Sequence, residues 1–268
     1  MRDSFFAGKF YPEKKEELLE LLKSLFSKTK KINKKIIAGI SPHAGIIYSG
    51  RASAELYSNL KFKKNLTFVI IGPNHTGAGK KISASQEDWK TPLGVIKNNS
   101  EIIKKLNLPV DESAHKFEHS IEVQFPFLQY KLKEIQAVEI CVSSLSFEEC
   151  RELAEKLSEL KNIFLIASSD LTHYGADFDF IPFEKNIKEN LELLDKKAIS
   201  FIEKLSAENF YNFAKDSTTI CGFIPITIAI IYAQIKKAKK AEVLLNYSSG
   251  DVTGDYNHCV DYASIIFV

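Results

Sequence analysis

The sequence predicts a single α/β domain spanning residues 1–268, with a largely parallel or mixed central sheet covered by helices on both faces. Three observations carry this reading. Short apolar runs alternate with helical patterns over most of the 268 residues, which is the order of a layered α/β fold. Several of the runs are apolar without interruption, as strands buried on both faces are. No repeat, low-complexity linker or composition break divides the chain, and its length suits one large domain.

In chain order, Glu13 to Phe26 places Leu18, Leu21, Leu22 and Leu25 at helical spacing, with Pro12 just ahead of the first turn. Lys35 to Ile40 is a buried strand, Gly50 to Leu60 a helix and Leu66 to Ile71 a second buried strand. Ile82 to Ile96 reads as short strands around Trp89 and a Pro92-Leu93-Gly94 turn. Ser100 to Leu106 is a helix, and Ser120 to Leu132 another, bent at Pro126. Strand Ile135 to Val142, helix Phe147 to Leu160, strand Ile163 to Ala167 and helix Ile187 to Leu205 follow. Cys221 to Ile235 is an apolar helix, too short to span a bilayer. Val243 to Tyr247 and Tyr262 to Phe267 close the chain as a hairpin around a polar loop.

Composition excludes several classes. The hydrophobic fraction is 45%, the charged fraction 26% and the net charge +2, values of an ordinary globular protein. The lysine clusters at 28–35 and 236–240 lack interleaved aromatic residues, so neither reads as a nucleic-acid groove. Four cysteines without a CxxC pair argue for reduced thiols, and Met1-Arg2-Asp3-Ser4 opens no signal-like apolar stretch. The expectation is a cytoplasmic protein that binds neither membrane nor nucleic acid. No motif sets the oligomeric state.

The chemistry-bearing residues follow the strands. Ser41-Pro42-His43-Ala44-Gly45 comes after Ile40, Gly72-Pro73-Asn74-His75-Thr76-Gly77 after Ile71, and Ser168-Ser169-Asp170-Leu171-Thr172-His173 after Ala167. In an open α/β sheet the ligand crevice lies beyond the carboxyl ends of the strands, so parallel pairing would gather these three histidines at one edge. Histidine is both a common metal ligand and a proton carrier near neutral pH. Cys221, read as opening a helix, would have its thiolate favoured by the unsatisfied amides there; the alternative is a small buried packing residue. Cys141, Cys150 and Cys259 read as structural. His115 and His119 are spaced to share a helix face, but the intervening Lys116-Phe117-Glu118 does not make a zinc-protease motif. Helix-capping or site-lining roles fit the pair better.

Taken together, the segments Arg2 with Phe6 to Pro12, Pro42 to Gly45 with Tyr48-Ser49-Gly50, Gly72 to His75, Trp89 to Gly94, Glu118 to Gln124, Ser168 to His173, Cys221-Gly222 and Ser249-Gly250-Asp251 resemble the Memo family. That family is named for a mediator of ErbB2-driven cell motility, and its prokaryotic members fall in the AmmeMemoRadiSam grouping. The resemblance runs nearly end to end. It implies a fold similar to the class III extradiol, or LigB-like, dioxygenases, which hold non-haem iron with two histidines and a carboxylate. It implies His43 and His75 as metal ligands, with Cys221 standing where the dioxygenases have the carboxylate. His173 would be the acid/base histidine, with Asp170 beside it; His119 and Tyr48 would line the pocket. A thiolate in place of a carboxylate softens the site, so a transition metal is expected, iron first, with copper or zinc as alternatives.

Three functions compete: a metal-dependent oxidoreductase with a small-molecule substrate; a ligand- or peptide-binding signalling module using the same crevice; and a hydrolase or transferase with Cys221 as nucleophile and His173 as base.

Overall fold

A computed structural model describes residues 1–61 and 65–268. The strands are β1 (Ala38–Ser41), β2 (Thr67–Pro73), β3 (Ile82–Ala84), β4 (Trp89–Thr91), β5 (Gly94–Asn98), β6 (Gln136–Val142), β7 (Ile163–Ser168), β8 (His173–Tyr174), β9 (Ala241–Ser248) and β10 (Cys259–Phe267). The helices are α1 (Lys15–Ser27), α2 (Ile46–Asn59), α3 (Ser100–Leu106), α4 (Phe125–Lys131), α5 (Phe147–Ser158), α6 (Ile187–Glu203), α7 (Ala207–Ser217), α8 (Phe223–Ile235) and the one-turn α9 (Gly250–Thr253).

The strands form one mixed sheet in the order β4-β5-β6-β2-β7-β1-β10-β8, with β3 on β6 and β9 on β10. Its centre is parallel: β5, β6, β2, β7 and β1 run the same way. β10 pairs antiparallel to β1 and forms the expected hairpin with β9.

Apolar cores lie on both faces, which is why the central strands show no polar alternation. In β2, Val69 and Ile71 point into one core and Phe68 and Ile70 into the other. In β7, Leu165 and Ala167 oppose Phe164 and Ile166 in the same way. The first core is covered by α3, α5, α6, α7 and α8, the second by α1, α2 and α4. α8 is buried almost all round and packs on α5, α7 and β7. On the other face α2 approaches β1 so closely that a Cβ on Gly39 would lie 2.5 Å from Leu56 Cδ1.

The structure departs from the sequence reading at definite points. α2 begins at Ile46, four residues earlier than expected, because Gly45 caps it directly after the His43 loop. Residues 120–132 are not one bent helix: a 3₁₀ turn at Glu122–Gln124 leads into α4, and Pro126 sits in α4's first turn, where its missing N–H costs nothing. α7 was not anticipated, since its buried stripe of Ala207, Phe210, Tyr211 and Ala214 has helical spacing but no leucine. α8 starts at Phe223, which leaves Cys221 two residues outside it.

The N-terminal segment is fastened by one buried carboxylate. Glu122 accepts hydrogen bonds from Arg2 Nη1 (2.7 Å), Tyr11 Oη (2.7 Å) and the backbone amides of Phe5 (3.1 Å) and Phe6 (2.8 Å). The Arg2 and Glu122 side chains are 9% and 1% exposed. Removing one partner of such a pair leaves the other charge uncompensated. Glu122→Ala is therefore expected to cost about 3–5 kcal/mol in urea unfolding; a loss under about 1 kcal/mol, typical of surface pairs, would refute the anchoring role.

Candidate functional site

β7 lies between β1 and β2, so the loops after these three strands meet at one sheet edge, as the sequence pattern requires. They close a pocket of about 320 Å³ lined by His43, His75, His119, Asp170, His173, Phe178, Thr219 and Cys221. Every residue expected at the site is present except Tyr48. It occupies the first turn of α2, is 38% exposed, and is not among the lining residues; its carbonyl accepts a hydrogen bond from Tyr247 Oη.

Hydrogen bonds fix each loop. Asn74 Oδ1 accepts from the amides of Thr76 (3.1 Å) and Gly77 (3.0 Å), shaping the turn that presents His75. Asp170 Oδ1 accepts from the amides of His43 (2.8 Å) and Ala44 (3.3 Å), tying the first loop to the third. Thr219 Oγ1 accepts from the His173 amide (2.8 Å) and donates to the His173 carbonyl (2.6 Å), holding that histidine from the segment before α8. Gly222 has no room for a side chain, since a Cβ there would stand 2.4 Å from Ser169 Cβ. Its amide donates to Ser169 Oγ (3.0 Å), and this contact sets Cys221 over the pocket.

These partners also assign the imidazole tautomers. Ser168 Oγ donates to the Ser120 carbonyl (2.6 Å) and accepts from Gln124 Nε2 (2.8 Å). Its hydrogen is thereby committed, so the 3.0 Å contact with His43 Nδ1 has the imidazole donating. His75 Nδ1 faces the Glu118 carboxylate at 2.9 Å, which can only accept when ionised. His173 Nδ1 faces two carbonyls, Leu171 at 3.0 Å and Thr219 at 3.1 Å. In all three histidines Nδ1 carries a proton, and the distal Nε2 is left toward the pocket. Cys221 Sγ lies 3.2 Å from His43 Nε2. Two overlapping groups could hold a metal ion, His43 with His75 and His119, and His43 with Asp170 and Cys221; in each the ligand atoms lie within 4.8 Å of one another.

His119 enters this cluster by a route the sequence did not show. His115 and His119 do not share a helix face. A 3₁₀ turn at Glu112–Ala114 ends at His115, and the chain then turns irregularly. His115 is buried against Trp89 and donates Nε2 to the Ser83 carbonyl (3.0 Å), away from the pocket. His119 stacks on His75 with centroids 4.6 Å apart, and Phe10 from the N-terminal segment packs on it at 4.5 Å.

A family model described as Memo-like protein matches residues 2–266. The chain belongs to the Memo family. Its similarity extends over whole proteins, each described as a MEMO1 family protein. It is 38% identical to one from Aquifex aeolicus (100% of this chain, 99% of that one) and 37% to one from Methanosarcina barkeri (99% of each). A third, from Thermoplasma acidophilum, is 37% identical, over 98% of this chain and 97% of its own.

Charge in this Memo-family pocket is localised. Burial and the neighbouring His75 push His43 well below the usual imidazole range, and burial with His43 and His75 takes His119 down to about 3. Burial also disfavours the charged form of His75, but hydrogen bonds to Cys221 and Glu118 outweigh it and raise His75 to about 10. Burial likewise opposes ionisation of Glu118, yet the hydrogen bond from His75 brings it to about 2. A His75 imidazolium–Glu118 carboxylate pair thus occupies the pocket wall. Cys221 corrects an expectation: it lies outside the helix, half-buried, and desolvation pushes its thiol up rather than down. Glu118 was missed because its partner lies 43 residues away; its place beside His119 was the only local hint.

Glu118→Gln removes the carboxylate that holds the His75 proton. The His75 pKa is expected to fall by about 1–3 units in a histidine-resolved NMR titration, with the fold retained; an unchanged value would show that Glu118 does not set the charge of the site.

Proposed function

We propose that this chain binds a transition metal through His43, His75 and Cys221, iron first with copper or zinc as alternatives, and uses it in dioxygenase-like oxidoreductase chemistry on a small molecule. One observation carries the reading: His43 belongs to two overlapping groups whose ligand atoms lie within 4.8 Å of one another, one with His75 and the other with Cys221. Metal-binding histidines characteristically donate their other nitrogen to a carboxylate or other acceptor, as His75 does to Glu118 and His43 to Ser168. Two imidazoles and a thiolate suit iron, copper and zinc and leave room for a further ligand. A bound ion of this kind would supply Lewis acidity and, for iron or copper, electron transfer.

The chain's own residues supply the rest. His173 presents a free Nε2 to the pocket, and burial keeps it neutral at pH 7, as a proton acceptor must be. Asp170 holds the His43 loop through its Oδ1 and favours the imidazolium form of His173 through space, so it orients and polarises the proton carrier. Phe178 packs edge-on to His173 at 5.0 Å and gives the pocket an apolar wall. The raised Cys221 thiol and its contact with His43 argue against a free nucleophile.

Metal analysis of untagged protein should find near-stoichiometric iron, copper or zinc in the wild type and little in Cys221→Ser, whereas His173→Ala should keep its metal. No metal in the wild type after anaerobic reconstitution would overturn the reading and leave a ligand-binding crevice. A metal that survives Cys221→Ser would move the ligand set to His43, His75 and His119.

Binding must displace the Nε2 proton of His75 and the thiol proton of Cys221. Affinity for Zn²⁺ is therefore expected to rise with pH through the neutral range, by up to about tenfold per unit for each proton released. An affinity independent of pH between 6 and 8 would show that these two groups are not both ligands.

A further inference from the structure

Away from the pocket, on the far side of the Asp170–His173 loop, two carboxyl groups meet in the interior. Asp195 of α6 is 1% exposed and Asp261 of β10 is 5% exposed. Thr172 bridges them, donating its Oγ1 to Asp195 and accepting the Asp261 amide on its carbonyl, and each carboxyl acts on the ionisation of the other. Asp195 Oδ2 and Asp261 Oδ1 are buried and receive no donor from any other group among the described residues. Two carboxylates cannot hydrogen-bond one another; a carboxylic acid and a carboxylate can. Buried polar groups without partners are costly, and the simplest donor that satisfies this pair is a proton.

We propose that Asp195 and Asp261 share one proton, and that this proton fastens the site loop to α6 and β10. The loop is attached to both residues. Thr172 Oγ1 donates to Asp195 Oδ1 at 2.5 Å. The Leu171 amide donates to the Asp261 carbonyl (2.7 Å), and the Asp261 amide donates to the Thr172 carbonyl (2.9 Å). The ladder continues as β8 on β10, with His173 opposite Val260. The height of the His173 imidazole over the pocket follows from this attachment. The pair stands between the proton carrier of the proposed chemistry and the rest of the sheet. Its functional consequence rests on that proposed role of His173; its protonation does not.

The surroundings oppose release of the proton. Burial is the largest influence on both carboxyls and raises both. Asp251 of α9 and Glu192 of α6 add negative charge near Asp261. The Thr172 hydroxyl of the loop favours ionisation of Asp195, and the Ser248 hydroxyl of β9 favours ionisation of Asp261. On β10, the Cys259 thiol and the Tyr262 phenol also face the carboxyls, and each is itself pushed up. Lys188, the cation beside them on α6, is engaged by Asp251 at 2.8 Å. The result is one negative charge and one proton over two groups, titrating as a unit. At high pH the proton leaves to solvent, two facing carboxylates remain, and the attachment of the loop is weakened.

The test uses the full chain. With ¹³C-labelled aspartate, the infrared spectrum of the wild type at pH 7 should contain a protonated-carboxyl C=O band that is lost in Asp195→Asn and in Asp261→Asn. Labelling aspartate alone excludes Glu139, which burial raises to about 8. Urea unfolding should then show Asp195→Asn gaining on the wild type as pH rises from 5 to 8, with the ratio of folding constants shifting by up to about tenfold per pH unit, the linkage of one proton. Glu192→Gln serves as a charge control and should shift this ratio far less. A band that persists in both variants, or a variant-to-wild-type ratio that does not move with pH, would overturn the proposal and point to a solvent molecule or cation between the carboxyls. Should neither variant fold, the band should persist in Asp170→Asn, since burial raises that aspartate too; its absence from the wild type, or its loss in Asp170→Asn, would overturn the proposal.

Discussion

The position of β7 between β1 and β2 is the constraint from which the rest of the site follows. It places three strand ends in one row, and each strand ends where its apolar burial ends. The polar residues that follow must then satisfy one another in a space with little water. Ser168, the last residue of β7, meets this demand with a single hydroxyl that serves His43, Gln124 and the Ser120 carbonyl. The Ser169 amide donates to the Ser41 carbonyl across the same edge (2.9 Å). Side-chain positions at the pocket are thus fixed by hydrogen bonds to backbone and buried hydroxyls, which are stiffer supports than packing of flexible loops would be.

Much of this edge was legible in the sequence because its causes are local. Strands buried on both faces leave apolar runs such as Phe68 to Ile71 within the strand read from Leu66 to Ile71, and the turns after them need the Gly, Pro and Asn that surround His43 and His75. What the sequence hid depends on long-range meetings. Glu118 has no chemical meaning until β2 and the segment after α3 are brought together. His119 looked like the partner of His115, but a 3₁₀ turn sends the two rings to opposite sides of the chain. Phe178 and Thr219 carry no motif at all. The start of α8 was misplaced for a steric reason: Gly222 must pass close to Ser169, and the helix forms only after that contact has been made.

Three imidazoles with centroids 4.6–5.2 Å apart, one of them buried, repel one another when protonated. The structure resolves the conflict by placing one carboxylate, Glu118, beside one of them. The cation is thereby assigned to His75, while His43 and His119 stay neutral with available lone pairs. In the proposed site the Cys221 thiol complements this arrangement, because the thiol and the imidazolium would each give up a proton when a cation arrived. Such a site would exchange two protons for one divalent charge, keeping its net charge nearly constant.

The same problem, a buried carboxyl group, has two solutions in this molecule, and their pH dependences run in opposite directions. Glu118 is held below its usual value, so its contribution to stability is complete above the carboxylate range and is lost as pH falls through about 2. Its partner His75 is raised, and that contribution is complete below the normal imidazole value and lost as pH rises through about 10. Asp195 and Asp261 are raised by burial, so the stability they contribute is greatest in acid and diminishes as pH rises. The salt-bridged wall of the pocket therefore tolerates the whole neutral range, while the attachment of the His173 loop is the part that responds to alkalinity. Under the proposed function that loop would carry the proton carrier and the wall the ligands, so a rise in pH would be felt first by proton transfer and only later by the ligand set.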